Sequence, residues 1–207
     1  MLSSRHFFIT GTDTDVGKTL IGCGLLVAAA NKGLRTLAVK PIAAGADSTP
    51  EGLRNQDAVM LMEAMTEKMS YQQVNPVLLE PPIAPHIAAE QVGRRVSVAQ
   101  LAGLCRGAMM QSADFVLIEG AGGWRVPLNG RELLSHALLT ADAIKADGLR
   151  LAGWVANRID PDMSCFEENV STLKALLPAP CLGVVPYLKG EKRGFDNVAK
   201  FLDVSIL

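Results

Sequence analysis

The chain has 207 residues, the length of one domain and enough to bury a full core without disulfides or metals. Its 20 lysines and arginines nearly balance its 21 aspartates and glutamates, and the formal net charge of -1 argues against a nucleic-acid groove or a polybasic membrane anchor. Aromatic residues make up 5% of the chain, too few for a surface on which single-stranded nucleic acid stacks.

Short apolar runs alternate with longer helical patterns along the whole chain. In order they predict strand 6–10, helix 18–31, strand 35–39, helix 58–67, helix 96–111, strand 115–118, helix 137–146, strand 149–156, helix 166–177, strand 181–185 and a short helix after Asn197. Continuous apolar strands separated by helices are typical of a mostly parallel sheet with helices on both faces. We therefore expect a single α/β domain over residues 1–207, with segments 41–57 and 75–85 as loops on its rim.

The cysteines and the N-terminus bear on the compartment. Cys23, Cys105, Cys165 and Cys181 are far apart and form no C-x-x-C pair, so we expect buried thiols and neither a disulfide framework nor a zinc site. No signal peptide is visible, and no run approaches the roughly 18 apolar residues needed to span a bilayer. These features predict a protein of the reducing cytoplasm with no membrane partner.

The sharpest motif lies between the first predicted strand and the first predicted helix and reads Gly11-Thr12-Asp13-Thr14-Asp15-Val16-Gly17-Lys18-Thr19. It resembles a phosphate-binding loop, although Gly11 lies one residue too early for the strict pattern. Gly17 permits a tight turn in which backbone N–H groups converge on an anion, and the following helix adds its positive end. Lys18 would then reach the β- and γ-phosphates, while the Thr19 hydroxyl would hold magnesium. The alternative is an ordinary strand–helix turn with a capping threonine.

Three further polar residues lie at the ends of predicted elements. Glu119 follows the most apolar strand and precedes Gly120-Ala121-Gly122-Gly123, so its carboxylate could bind magnesium while the glycines let a ligand approach the backbone. Lys40 follows the second strand and could stabilise charge during phosphoryl transfer, or could simply be solvated. Asp57 could be a metal ligand or a helix cap. Ligands of open α/β sheets bind at the carboxyl ends of strands, where Glu119 and the loop are expected.

Together these stretches resemble the dethiobiotin synthetase family. The resemblance rests on the loop of residues 10–19, Lys40-Pro41, residues 49–57, Pro85-His86-Ile87, Glu119-Gly120-Ala121-Gly122-Gly123-Trp124 and Ala152-Gly153-Trp154-Val155-Ala156-Asn157, in the family's order. It implies an ATP- and magnesium-dependent cyclo-ligase acting on 7,8-diaminononanoate and carbon dioxide. One amine forms a carbamate, the γ-phosphoryl activates it as a mixed anhydride, and the second amine closes a cyclic urea and expels phosphate.

The resemblance also implies roles for individual residues, carried over position by position. Lys18 and Lys40 would be catalytic, Thr19, Asp57 and Glu119 would hold Mg²⁺, and Asp15 stands where the family usually has glutamate. The residues implied to bind ATP are Thr14, Asp15, Val16, Gly17, Lys18, Thr19, Asp57, Glu119, Gly120, Ala121, Gly122, Asn157, Arg158, Pro186, Tyr187 and Leu188, with Asn157 reading the adenine edge and Pro186-Tyr187-Leu188 closing over the base. Those implied to line the substrate site are Lys40, Ala44, Gly122, Val126 and Pro127, with Ala44 replacing a family serine. The Pro85-His86 loop is expected to be structural.

One stretch of the family pattern is missing. After Trp124 the family continues through a helix and an apolar strand before a helix that resembles residues 135–140, but only residues 129–134 separate Leu128 from that helix here. A crossover to a parallel strand needs at least about 10–12 residues. Either the protein lacks the segment, or the segment was omitted from the sequence and the numbering runs on without it near Glu132-Leu133. The family uses this segment in its homodimer interface and in the substrate site of the partner subunit.

Rival interpretations stay open on the sequence alone. A partitioning ATPase of the same broad fold usually carries an extra lysine early in the loop, where this chain has Asp13. An amide-forming ligase for a corrinoid acid normally carries a glutaminase domain, for which 207 residues leave no room. A nucleotide-binding module made inert by the missing segment would bind ATP without turnover that depends on the diamine.

Overall fold

The computed structural model describes residues 5–13, 15–82, 89, 91–93, 96–123, 133–163 and 166–207. The strands in these ranges are β1 (Arg5–Gly11), β2 (Thr36–Val39), β3 (Ile42–Ala44), β4 (Asp47–Thr49), β5 (Gly52–Arg54), β6 (Val77–Leu79), β7 (Phe115–Gly123), β8 (Trp154–Asn157) and β9 (Cys181–Val185). The helices are α1 (Lys18–Ala30), α2 (Gln56–Ala64), α3 (Tyr71–Val74), α4 (Val98–Ala108), α5 (Leu133–Ala146), α6 (Phe166–Leu176) and α7 (Phe195–Ala199), with a 3-10 turn at Gly190–Arg193.

The strands pair mostly in parallel. β1, β7 and β2 form a sheet in that order, β3 pairs with β6, and β8 pairs with β9, while β4 and β5 form an antiparallel hairpin. This arrangement confirms the predicted α/β class. The register of β2 against β7 sets Val39 opposite Ile118, so Lys40, which follows β2, lies beside Glu119 in β7.

Several predicted boundaries were wrong. β7 runs on to Gly123 instead of ending at Ile118, β8 begins only at Trp154, and α5 begins at Leu133. Segment 41–57 was predicted as a loop but contains β3, β4 and β5, and segment 75–85 contains β6 within its described part. These strands are three residues long, too short to show an alternation of apolar and polar residues. β3 and β6 are stabilised by pairing with each other across 35 residues of sequence.

The chain divides into two compact units, each with its own buried residues. The first consists of Met1–Ile9 and Ala29–Ala121, and the second of Thr10–Ala28 and Gly122–Leu207. In the first unit, α4 packs on β2 and β7 through a buried cluster of Leu37, Val39, Cys105, Ala108, Ala113 and Val116. In the second unit, α1 packs so closely on α7 that a Cβ at Gly24 would lie 2.6 Å from Val198. No helix within the described ranges is long and apolar enough to cross a membrane.

An exposed ion pair marks the start of the β2–β7 ladder. Both the backbone N–H and the guanidinium of Arg35 donate hydrogen bonds to the Asp114 carboxylate, and the Asp114 N–H donates to the Arg35 carbonyl. Hydrogen bonds from the Arg35 side chain and backbone hold the pKa of Asp114 below its ordinary value. This stabilisation is present above the ordinary aspartate pKa of about 3.9 and is lost as the pH falls through the lowered native value.

We therefore expect the melting temperature of Asp114→Asn to lie below that of the wild type at pH 6, and the difference to shrink as the pH falls below 4. Thermal unfolding between pH 2.5 and 7 measures this difference. Arg35→Met should reproduce the same pH dependence, because it removes the other half of the pair. A difference that is equal at pH 6 and pH 3 would contradict the ion-pair explanation.

Candidate functional site

The loop between β1 and α1 has the backbone of an anion-binding turn. Asp15 and Gly17 both have positive φ, 57° and 89°, and α1 begins at the next residue, Lys18. A positive φ is uncommon for a residue other than glycine and costs about 1–3 kcal/mol, so the surrounding structure holds Asp15 in place. Successive N–H groups in such a turn, together with the N-terminus of a helix, form a concave site for a phosphate group.

Side chains of the second unit complete this loop. Lys18 donates a 2.8 Å hydrogen bond from Nζ to the Asp13 carbonyl, so its ammonium reaches back across the turn. Thr19 is 91% buried, at the first turn of α1. The Nδ2 of Asn157, at the end of β8, donates a 3.0 Å hydrogen bond to the Val16 carbonyl. Thus β8 fixes the loop that β1 and α1 enclose.

Asn157 also explains why residue 17 is glycine. A Cβ at position 17 would overlap the Asn157 amide nitrogen, whereas a Cβ at Gly33 would meet no atom within 4 Å. Both glycines have positive φ, 89° and 80°, so alanine strains the backbone by a comparable amount at each position. The two sites therefore separate backbone strain from the clash with Asn157.

We expect Gly17→Ala to lose both stability and ATP affinity, while Gly33→Ala loses stability alone, by about 1 kcal/mol. Chemical denaturation gives the stability of each variant, and titration calorimetry with ATP gives its affinity. Equal affinities in the two variants would show that the Asn157 contact does not shape the loop for its ligand.

Asn157 also borders a small pocket beside the loop. The pocket has a volume of about 110 Å³ and is lined by Leu20, Asn157, Arg158, Ile159, Val185, Pro186, Tyr187, Leu188 and Arg193. Pockets that enclose a whole small molecule usually reach about 300 Å³ or more, so this one suits one part of a ligand. Its place next to the loop, through Asn157, would let one molecule put an anionic group in the loop and a ring in the pocket.

The structure thus brings Asn157, Arg158, Pro186, Tyr187 and Leu188 together, as the sequence-based assignment requires. Their roles toward a ligand stay predictions. The guanidinium of Arg158 donates hydrogen bonds to the carbonyls of residues 160, 161 and 163 and lies 5.2 Å from the ring of Phe166, so it also fastens the loop after β8.

In the first unit, Lys40 lies between two carboxylates. Its Nζ is 2.7 Å from Glu119 Oε1 and 2.9 Å from Asp57 Oδ2. Lys40 and Glu119 are almost fully buried, with 4% and 1% of their surface exposed, while the Asp57 side chain is 42% exposed. Burial by itself lowers the pKa of Lys40, but the charges of Glu119 and Asp57 outweigh that effect, and its pKa lies above the ordinary value. Lys40 is therefore a cation at neutral pH, suited to stabilise negative charge and unsuited to act as a base.

Asp57 does not cap its helix. Asn55 is the N-cap of α2, because its side chain accepts a hydrogen bond from the Ala58 N–H, and Asp57 lies inside the first turn. The alternative of Asp57 as the capping residue was therefore wrong. The cap leaves the Asp57 carboxylate on the side of Lys40.

The glycines after Glu119 serve packing in part. A Cβ at Gly120 would lie 2.7 Å from the ring of Phe8, so the space beside Gly120 is taken by the neighbouring strand β1. The expectation that a ligand approaches the backbone at Gly120 stays a prediction, while Ala121 is exposed and Gly122 continues β7. Ala44 lies in β3 opposite Leu79 and packs against that residue. The predicted site residues Thr14, Val126 and Pro127 lie outside the described residues, as do His86 and the proposed junction at Glu132.

Sequence-based reasoning missed several residues that the structure places at these sites. Leu20 of α1, Ile159 after β8, Val185 of β9 and Arg193 of the 3-10 turn line the pocket. An N-cap asparagine before an apolar helix is a recognisable pattern, so Asn55 could have been found. Leu20 and Val185 could not, since apolar residues in a helix and a strand are expected in any core.

Comparisons with known proteins agree over nearly the whole chain. Residues 5–135 match a family model described as an AAA domain. An ATP-dependent dethiobiotin synthetase of Cellvibrio japonicus is 53% identical and covers 100% of this chain and 99% of its own. The enzymes of the same name from Marinobacter nauticus and Pseudomonas aeruginosa are 49% and 50% identical, with 91% and 96% of this chain covered and 90% and 96% of their own.

Solved structures agree in fold. The septum site-determining protein MinD of Pyrococcus horikoshii, complexed with Mg-ADP, has a TM-score of 0.56 at 17% identity and covers 95% of both chains. The MinC:MinD cell division complex of Aquifex aeolicus also has a TM-score of 0.56, at 16% identity, covering 95% of this chain and 86% of the other. At these identities the likeness concerns the α/β architecture alone.

Proposed function

The chain belongs to the ATP-dependent dethiobiotin synthetase family, and on that premise we propose how its residues carry out the reaction. It is a ligase of biotin biosynthesis that uses ATP. The observation that best supports a nucleotide site in this chain is the hydrogen bond from Asn157 to the Val16 carbonyl, which joins a phosphate-type loop to a pocket large enough for one ring. The triphosphate would lie on residues 15–19, and adenine would lie between Asn157 and the segment Pro186-Tyr187-Leu188.

Lys18 and Lys40 provide the positive charge in this proposal. Lys18 would leave the Asp13 carbonyl and bind the β- and γ-phosphates, because a hydrogen bond from an ammonium to a charged phosphate oxygen is stronger than one to a neutral carbonyl. Lys40 would stabilise the carbamate and the transferring phosphoryl group as a fixed cation. No covalent intermediate with the protein is needed, because binding aligns the carbamate oxygen with the γ-phosphorus and the second amine with the activated carbonyl.

The donor set suits magnesium. We propose from the family resemblance that Thr19, Asp57 and Glu119 hold it, because a hydroxyl and two carboxylates are the hard oxygen ligands that Mg²⁺ prefers. Mg²⁺ usually keeps few protein carboxylates and takes its other ligands from water and phosphates. When bound it would neutralise phosphate charge, while Lys40 holds both carboxylates in place beforehand.

The diamine site rests on the family resemblance. We propose that it is lined by Lys40, Ala44, Gly122, Val126 and Pro127. Ala44 offers no hydroxyl where the family has serine, which removes a hydrogen bond worth about 1 kcal/mol and weakens diamine binding without changing the chemistry.

Cys23 and Cys105 are buried thiols, which suits the reducing cytoplasm that we propose as the compartment of this protein.

One incubation tests the function directly. Purified protein is mixed with ATP, magnesium, bicarbonate and 7,8-diaminononanoate, and dethiobiotin, ADP and phosphate are measured by mass spectrometry and a phosphate assay. We expect equal amounts of the three products, all dependent on the diamine. ATP binding without dethiobiotin would instead support an inert nucleotide-binding module, and ATP hydrolysis without the diamine would support a related ATPase.

We also propose that this chain lacks a helix and a strand that its relatives have. The alignment with the Cellvibrio japonicus enzyme is 228 positions long while the chain has 207 residues, so at least 21 positions face no residue here. Among the described residues β1 pairs only with β7, and its Phe8 is 53% exposed, as expected where a neighbouring strand is missing. The mass of the intact protein decides between a true deletion and a longer chain. Sedimentation velocity tests the homodimer that we propose from the family.

A further inference from the structure

Lys40 is anchored through its backbone as well as through its ammonium. The Lys40 N–H donates a 2.8 Å hydrogen bond to the Val74 carbonyl, and the Lys40 carbonyl accepts a 2.7 Å hydrogen bond from Asn75 Nδ2. Val74 ends α3 and Asn75 follows it, and both are almost fully buried. The end of α3 thus holds both backbone polar groups of one residue, immediately after β2.

A tyrosine connects this anchor to α2. The Tyr71 hydroxyl donates a 3.0 Å hydrogen bond to Asn75 Oδ1 and accepts a 2.7 Å hydrogen bond from the Asn55 N–H. The Asn75 amide nitrogen donates to the Lys40 carbonyl and, at 3.4 Å, to the Val77 carbonyl, so its oxygen faces the hydroxyl as an acceptor. Tyr71 is 8% exposed, and burial raises the pKa of its phenol, so the hydroxyl keeps the proton that it donates.

The connection closes on the Lys40 ammonium. Asn55 caps α2 and also donates from Nδ2 to the Gly45 carbonyl, which fixes the first turn of the helix where Asp57 lies. Asp57 Oδ2 is 2.9 Å from Lys40 Nζ. A continuous ring of contacts therefore runs from the Lys40 backbone through Asn75, Tyr71 and α2 back to the Lys40 side chain. None of the linking residues needs to touch a substrate.

We propose that Tyr71 and Asn75 are positioning residues that set the Lys40 ammonium against Asp57 for phosphoryl transfer. This inference rests on the proposed role of Lys40. A displacement of about 1 Å in a catalytic group can lower the rate about 100-fold, so a buried tether of this kind acts on turnover more than on ATP binding. Tyr71→Phe removes one oxygen atom and Asn75→Ala removes the amide, and each should lower kcat about tenfold or more while the KM for ATP stays unchanged.

The chain offers a matched control at the other end of β2. There the Thr36 N–H donates to Thr66 Oγ1 and the Thr66 N–H donates to Thr36 Oγ1, a partly buried polar contact that includes neither Lys40 nor the residues that tether it. Thr66→Val removes the acceptor of a partly buried N–H, as Tyr71→Phe does. We expect it to lower the melting temperature by a similar amount with kcat per folded molecule unchanged.

The test combines kinetics with structure. Dethiobiotin formation by the wild-type protein is measured first, and its failure would overturn the proposed function. Crystal structures of the wild type and Tyr71→Phe then report on the tether independently of activity, and a lengthened Lys40–Asp57 distance in the variant is the expected result. A melting temperature that falls while kcat and the Lys40–Asp57 distance stay as in the wild type would overturn the positioning role. If Asn75→Ala does not fold, Tyr71→Phe alone decides between these results.

Discussion

Lys18→Ala is expected to remove activity and most of the affinity for ATP. The ammonium of Lys18 lies at the mouth of the β1–α1 loop, 2.8 Å from the Asp13 carbonyl, in the second compact unit. Loss of one preorganised donor to a transition state lowers kcat about 100- to 1,000-fold. Loss of a charged hydrogen bond to bound phosphate costs about 1.5–3 kcal/mol, or about 10- to 100-fold in affinity. Titration calorimetry with ATP and the dethiobiotin assay measure the two effects separately.

Lys32→Ala is the matched control for this variant. Lys32 lies just after the last turn of α1, is exposed, and makes its backbone hydrogen bond to the Ala29 carbonyl, which alanine preserves. Lys32→Ala removes one positive charge, as Lys18→Ala does, but at the other end of α1. Activity and ATP affinity should therefore stay within about twofold of the wild type. Wild-type turnover in Lys18→Ala would count against the phosphate-binding role of the loop.

Strand β2 could be predicted because it is buried along its whole length, and β1 and β9 because they are short apolar runs bounded by turns. β1, β2 and β9 lie within one residue of their predicted ranges, and in β2 the residues Leu37, Ala38 and Val39 have no exposed surface. Such strands are continuous apolar runs, the strongest short pattern in an α/β chain. β3 and β6 were missed because they are three residues long and form only when paired with each other.

The sequence allowed us to predict which residues belong to the candidate site, but not which of them contact each other. The pattern placed Lys40 and Glu119 each at the end of a strand, but their 2.7 Å contact depends on β2 and β7 being neighbours in register. Sequence order does not give that neighbour relation, since 75 residues separate the two strands. Tyr71 and Asn75 carried no motif, because their role depends on α3 meeting the end of β2 in the folded chain.

Lys40→Ala is expected to lower turnover far more than ATP affinity. Its ammonium is buried between Glu119 and Asp57 in the first unit and holds its charge. In the proposed mechanism it would stabilise the negative charge that develops on the carbamate and the transferring phosphoryl group. We expect kcat to fall about 100- to 1,000-fold. Titration calorimetry should give an ATP affinity close to that of the wild type, because in this proposal the loop at residues 15–19 holds the triphosphate.

Stability must be separated from chemistry in this variant. Removing one member of a buried ion pair commonly costs about 3–5 kcal/mol, so the melting temperature of Lys40→Ala should fall clearly. Lys40→Met keeps most of the side-chain volume and removes the charge, and it should lose turnover equally while packing better. Preserved ATP binding in either variant shows that the nucleotide site is folded, and lost turnover then reports on the charge. Turnover that recovers at saturating ATP would contradict a role for Lys40 in the chemical step and leave it a ligand of the nucleotide.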